Sequence, residues 1–306
     1  MWGRKVYYQL KPYLPLRLQV ELRKILLNFK KKFCADVWPI DESAGRSPEG
    51  WKGWPDGKKF ALVLTHDVEN KEGHDKCYDL VELEKKYGFR SSFNFVPERY
   101  EVSSELRVFL QANGYEVGVH GLKHDGKLYC SRQVFAERAI RINHYLENWG
   151  AVGFRSPAMH HNLEWIHDLD ILYDASTFDT DPFEPQPDGM KTIFPFMVEN
   201  SSDNSTYVEL PYTLPQDSTL FLFMQEKNIE TWIRKLDWIA QHGGMALVIV
   251  HPDYMNFRGK DAGLTEYPAQ LYENFLQHIT SQYDGQYWHV LPKELAEFWR
   301  TRSSKV

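Results

Sequence analysis

The sequence predicts an α/β fold: a distorted (β/α)7-type barrel with a basic helical extension at its N-terminus. Three observations lead there. From Phe60 onward, short apolar runs alternate with stretches of helical periodicity, the order of a parallel sheet with helices outside it. The chain has 306 residues, long for an ordinary domain but normal for one barrel. Five of the apolar runs end in charged or imidazole side chains, as expected where strand ends form a functional rim.

Residues 1–35 come first. They hold nine Lys and Arg against the single acid Glu21, a charge of +8; with a chain total of −6, the rest carries −14. So acidic a body argues against nucleic acid as the ligand. Pro12 and Pro15 keep a helix from starting much before Leu16. Leu16, Leu18, Val20, Leu22, Leu26, Leu27 and Phe29, set among the charges, predict a helix over 16–32. It is read either as a surface helix making peripheral contact with anionic lipid or a partner, or as a helix packed outside the barrel with a solvated basic face. Residues 36–58 are rich in Gly, Pro, Ser and Trp and read as a linker or wrapped loop. Trp38, Trp51 and Trp54 there either stack on a sugar or plug the loop onto the domain. Residues 59–306 form the barrel.

Within the barrel, strands are expected at 60–68, 90–96, 115–120, 151–155, 172–175, 246–251 and 287–291. Helices are expected at 75–87, 103–113, 131–149, 226–242 and 266–282, with a last one near 292–300. Residues 178–225 break the rhythm, and VELPYTLPQ within them reads as an extra strand or hairpin. Cys34, Cys77 and Cys130 are odd in number and widely spaced, which fits neither a disulfide framework nor a Cys-based zinc site. No secretory leader pattern stands at the N-terminus, and no apolar run approaches the ~18 residues of a membrane span. The expectation is a cytoplasmic protein, peripheral at the inner membrane surface if residues 1–35 bind lipid.

The rim residues carry the chemistry. The first strand runs into His66-Asp67-Val68-Glu69, the third ends at His120 with His124 four residues on, the fourth ends in Arg155-Ser156-Pro157, the fifth in Asp174, and the penultimate one in His251. Buried unpaired charges cost several kcal/mol, so packing alone explains this convergence poorly. The His120/His124 pair by itself is little better than chance; its company gives it weight. Two imidazoles and one carboxylate make a three-ligand site for one divalent metal, Zn²⁺ first, with Co²⁺, Ni²⁺ or Fe²⁺ also suited. Asp67 and Glu69 are two apart, so both can face the barrel mouth, one as ligand and the other as base.

The chain resembles the polysaccharide deacetylases, the NodB-homology domain of carbohydrate esterase family 4, over roughly Phe60 to Arg300. The matching segments run in the family's order: Thr65-His66-Asp67-Val68-Glu69, His120-Gly121-Leu122-Lys123-His124, Arg155-Ser156-Pro157, Tyr173-Asp174-Ala175-Ser176-Thr177 and Leu247-Val248-Ile249-Val250-His251. The resemblance implies Asp67 as general base, His120 and His124 as metal ligands, and Arg155 to orient or neutralise the base. It implies His251 as general acid, tuned by Asp174 or else Asp179. The family's second Asp is Val68 here, so the ligand role passes to Glu69, as in a divergent Asp-x-Glu branch. Gly121 replaces the usual Ser or Thr, removing a hydroxyl that would buttress the site. His66, Pro157, His160 and His161 are the expected substrate contacts. The implied activity is removal of acetyl groups from an N-acetylated saccharide or its lipid- or nucleotide-linked precursor. The rivals are an amidohydrolase acting on an allantoin-like or cyclic imide substrate, and a non-catalytic saccharide-binding barrel.

Overall fold

β1 (Phe60–Val68) is the spine of the molecule, with all nine residues buried. A parallel strand covered on both faces reads as a continuous apolar run, and FALVL does so. β1 pairs in parallel with β2 (Ser92–Phe95) through its C-terminal half, with β8 (Met245–Val250) along most of its length, and with β11 (Tyr287–His289) through its first three residues. The parallel ladder continues from β2 through β3 (Glu116–His120), β4 (Gly153–Arg155), β5 (Tyr173–Asp174) and β7 (Thr206–Glu209). β6 (Phe196–Glu199) lies antiparallel to β7; this hairpin falls earlier than the VELPYTLPQ segment expected to form one and shares only Val208 and Glu209 with it. Between β7 and β8 the seam closes through a loop: the Thr213 and Leu214 amides both donate to the Leu247 carbonyl. The ring is therefore a seven-stranded, distorted (β/α) barrel. A short pair, β9 (Met255–Asn256) and β10 (Tyr267–Pro268), sits on the excursion after β8. The computed structural model describes residues 16–200, 202, 204–259, 263 and 265–303.

The helices follow their sequence signals closely. α1 covers Leu16–Lys31. α2 (Lys71–Asp75) and α3 (Cys77–Lys86) replace one expected helix, which starts earlier because Asn70 caps it, accepting from the Glu72 and Gly73 amides. α4 (Ser104–Ala112) and α5 (Arg132–Trp149) are capped by the Ser103 and Ser131 hydroxyls, as Ser before an apolar-periodic run predicts. α6 (Glu230–His242) starts later than expected, because residues 218–223 wind into a separate π-helical turn capped by Asp217. α7 (Gln270–Gln282) and α8 (Pro292–Ser303) complete the set.

Residues 36–58 run from the loop after β5, where Thr180 Oγ1 donates to the Val37 carbonyl at 3.2 Å, to the end of the barrel away from the rim. Trp54 is buried and donates through Nε1 to the Gly243 carbonyl just before β8 (2.8 Å). Around it gather Trp51, Phe194, Trp288, Phe298 and Trp299, while Trp38 meets Phe183 edge-on. These tryptophans plug the loop onto the barrel. On α1, Leu27 is buried whereas Ile25, Leu26 and Phe29, and Phe33 just past the helix end, are 64–70% exposed. Lys31 pairs with Glu226 at 3.0 Å and Lys30 donates to the Pro182 carbonyl. Residues 1–15 of the basic segment lie outside the described residues. No helix among the described residues is long and apolar enough to cross a membrane.

Candidate active site

Asp67 lies near the C-terminal end of β1, facing the barrel interior. Its Oδ1 accepts from Arg155 Nη1 at 2.9 Å and from Asn94 Nδ2 at 3.0 Å. Arg155 is fully buried; it also donates to Thr65 Oγ1 and, through Nε, to the Ala175 carbonyl. Gly118 on β3 makes room for Asn94, since a β-carbon there would stand 2.2 Å from Asn94 Oδ1. Burial pushes the Asp67 carboxyl up, but Arg155, His120 and His251 outweigh it and hold the group well below the usual carboxylate range. Asp67 is thus an anion with one oxygen engaged and Oδ2 left over.

His120 ends β3, and its Nδ1 stands 3.1 Å from the Arg155 carbonyl. A carbonyl only accepts, so Nδ1 carries the proton and the Nε2 lone pair remains for an ion. Burial, partly offset by Asp67, lowers the His120 pKa to about 4, so the ring is neutral near pH 7. His124 follows in a loop with φ +52°, a left-handed conformation that non-glycine residues adopt at some cost. Its Nε2 is buried, without a hydrogen-bond partner, and 3.1 Å from Glu69 Oε1. Burial raises the Glu69 carboxyl, but His124 chiefly overcomes this and holds it well below its ordinary value. One donor atom each from Glu69, His120 and His124 lie within 4.8 Å of one another. An orphaned imidazole nitrogen, a second free imidazole lone pair and an ionised carboxylate fit a divalent ion. The spacing of Asp67 and Glu69 does bring both to one face, as the strand period predicts.

Gly121, between these histidines, has its own reason. Its φ is +61°, and a β-carbon would sit 2.5 Å from the Pro157 ring. Pro157 is buried and packs against this glycine, so a Ser or Thr at 121 would collide with it.

His251 follows β8. Its Nδ1 is 2.6 Å from Asp217 Oδ1, and its amide donates to Asp217 Oδ2 at 2.8 Å. Tyr267 donates to the same Oδ2 at 2.8 Å. Burial pulls the His251 pKa down, but Asp217 overrides it and raises the value to about 10. The imidazolium is therefore the resting form near pH 7, with Nε2 aimed back into the cluster, 4.0 Å from Glu69 Oε1.

Asp217 corrects a sequence-based expectation. Asp174 does not partner His251; it accepts from Ser176 Oγ at 2.5 Å and faces Glu209 inside the protein. Asp179, the other candidate, is held by Lys235 at 2.5 Å. His66 also departs from expectation. It alternates away from Asp67, is fully buried, and pairs through Nε2 with Glu84 of α3 at 2.7 Å, so it belongs to the strand–helix layer and cannot touch substrate. His161 is buried, its Nδ1 bonded to the Met159 carbonyl at 3.0 Å. His160 is half-buried at the end of the turn Pro157–Met159. Sequence reasoning missed Asn94 and Asp217. Asn94 had a legible signal, an amide inside an apolar strand. Asp217 had none, since it lies 34 residues before its histidine in an irregular loop.

No family model and no curated protein matches the sequence. Solved structures do match the fold. A protein from Mycobacterium smegmatis described as a polysaccharide deacetylase superposes with a TM-score of 0.60 at 17% identity, over 84% of this chain and 96% of its own. A Pseudomonas aeruginosa PAO1 protein of the same description gives 0.60 at 17%, over 81% and 93%. The Puue allantoinase gives 0.59 at 16%, over 83% and 94%. At these identities the likeness establishes the fold, and the chain has the (β/α)-barrel fold of these proteins.

Proposed function

We propose that the chain is a metal-dependent hydrolase that removes N-acetyl groups from a saccharide. The observation that carries the reading is that two groups border the Glu69–His120–His124 cluster: Asp67, 3.9 Å from His120 and bonded to Arg155, and His251, 4.0 Å from Glu69 and bonded to Asp217. A bound divalent ion, Zn²⁺ by its ligand set, would polarise the amide carbonyl and acidify a water. Glu69, His120 and His124 would hold it. Asp67 takes the proton of the attacking water at Oδ2, because Oδ1 is occupied by Arg155 and Asn94. Arg155 keeps that carboxylate ionised until the proton arrives. His251 gives its Nε2 proton to the departing amine, and Asp217 fixes the ring by its Nδ1. A pure binding barrel has no use for such a base–acid pair. The direct test is acetate release from N-acetylglucosamine oligomers, abolished by a chelator and restored by Zn²⁺.

The Puue allantoinase on the same fold supports a second reading, an amidohydrolase opening an allantoin-like or cyclic imide ring. Ring opening without acetate release would select it.

The finer reading is a lipid- or nucleotide-linked precursor of a surface polysaccharide, met at the cytoplasmic face of the inner membrane through residues 1–35. The exposed Ile25, Leu26, Phe29 and Phe33 beside Lys30, Lys31 and Lys32 support it, because an apolar face with basic flanks suits an anionic bilayer. Ile25→Glu with Phe29→Glu is expected to abolish cosedimentation with phosphatidylglycerol vesicles; undiminished cosedimentation would count against membrane contact.

A further inference from the structure

Glu69 stands one residue beyond the end of β1, so no strand ladder holds it in place. Asp67 is different, since it lies inside the strand with Asn94 opposite it. Something else must aim the Glu69 carboxylate. The segment after β8 does this from two directions. Asp253 reaches over and accepts from the Glu69 amide through Oδ2 at 3.0 Å and from the Asn70 amide through Oδ1 at 2.8 Å. Tyr254 donates its hydroxyl to Glu69 Oε2 at 2.9 Å. With Oε2 taken, Oε1 is the oxygen left facing His124 Nε2.

The close approach is built into the neighbouring helix. A β-carbon at position 73 would lie 2.2 Å from Asp253 Oδ2, so Gly73 on α2 is what lets Asp253 dock there. Lys76 ties the same turn down by donating to the Asp253 carbonyl at 3.2 Å. A backbone grip alone would leave the Glu69 side chain free to rotate. A side-chain grip alone would leave its backbone loose. The two adjacent residues supply one of each.

We propose that Asp253 and Tyr254 form a clasp that presets Glu69 as the carboxylate ligand, with Tyr254 a positioning residue of the metal centre. The clasp compensates for placing the ligand carboxylate past the strand rather than within it. The proposal rests on the reading of Glu69 as a ligand and adds what makes that reading work. Partners that orient a ligand in this way typically change metal affinity 10–100-fold when removed.

The test is a titration of the full chain, freed of metal by a chelator, with Zn²⁺ alone against a competing chromophoric chelator. Tyr254→Phe removes one hydroxyl and should weaken Zn²⁺ binding about 10-fold or more, with the thermal midpoint of the metal-free protein little changed. In a Glu69→Ala background, where no side-chain oxygen is left for Tyr254 to grip, the same Tyr254→Phe change should leave the residual Zn²⁺ affinity of the two histidines unchanged. Gly73→Ala should reproduce the weakening from the other side of Asp253. Unchanged Zn²⁺ affinity in Tyr254→Phe, or an equal loss in both backgrounds, would overturn the clasp while leaving the ligand role of Glu69 standing. A parent protein that binds no Zn²⁺ would overturn both.

Discussion

Two pairs of carboxyls sit at the C-terminal ends of parallel strands and behave in opposite ways. Asp67 and Glu69 at the end of β1 face Arg155, His120, His124 and His251, and both are held ionised. Asp174 and Glu209, at the ends of β5 and β7, are fully buried, whereas Glu69 is half-buried; the β5 and β7 carboxyls face hydroxyls, amides and each other. Asp174 takes the Ser176 hydroxyl, and Glu209 takes the Thr177 amide at 3.0 Å and hydroxyl at 2.6 Å. Burial raises both, and Glu209 is pushed further by Asp174 beside it. Strand position therefore does not make a carboxyl catalytic. The cations around it do, by keeping it in the form that can accept a proton.

The comparison can be broken most sharply at Asp67. Asp67→Asn should lower kcat by roughly 10²- to 10⁴-fold, the usual worth of a positioned base, with the fold and Zn²⁺ binding retained; acetate release at the parent rate would remove Asp67 from the mechanism. Asp217→Asn comes next. His251 has a folded pKa of about 10, above its ordinary ~6.5. Its protonated form thus persists in the folded protein across neutral pH, and its contribution to stability, complete below ~6.5, is lost as pH rises through 10. Without Asp217 the alkaline limb of the kcat/KM profile should move down from about 10 towards ~6.5 or below. A limb that stays in place would show that another group holds the proton.

Asp174→Asn should leave that alkaline limb where it is, which separates the structural carboxyl from the functional one. Glu209→Gln should have the smallest effect. A carboxyl raised in the folded state costs stability progressively as pH rises past the unfolded value. Removing it should flatten the decline in unfolding free energy above pH ~4.3. Urea denaturation at a series of pH values checks this, and an unchanged slope would mean that Glu209 titrates normally.

Much of the barrel was legible because parallel strands buried on both faces leave unbroken apolar runs. β1 was expected over 60–68 and lies there. His120, Arg155 and His251 were legible because each closes such a run, and His124 because it lies four residues past His120. Glu69 was reached by the two-residue period from Asp67. What failed was anything set by distance along the chain. Asp217 reaches His251 from the irregular stretch before α6, and no local periodicity marks it; Asp174 was preferred because it ends a strand. His66 failed for the complementary reason. Its neighbour's alternation turns it towards α3, where Glu84 satisfies it. Gly121 looked like a lost hydroxyl, and its need for a positive φ beside Pro157 became clear only once the loop was folded.

The central claim is that the two acids of the first strand have divided their roles, Glu69 binding the ion and Asp67 moving the proton. Zinc stoichiometry and affinity of purified Asp67→Asn and Glu69→Gln, compared side by side, test it most directly. The account predicts that Asp67→Asn holds one Zn²⁺ per chain with near-parental affinity and is inactive, whereas Glu69→Gln loses the ion. Loss of zinc in Asp67→Asn with retention in Glu69→Gln would contradict it.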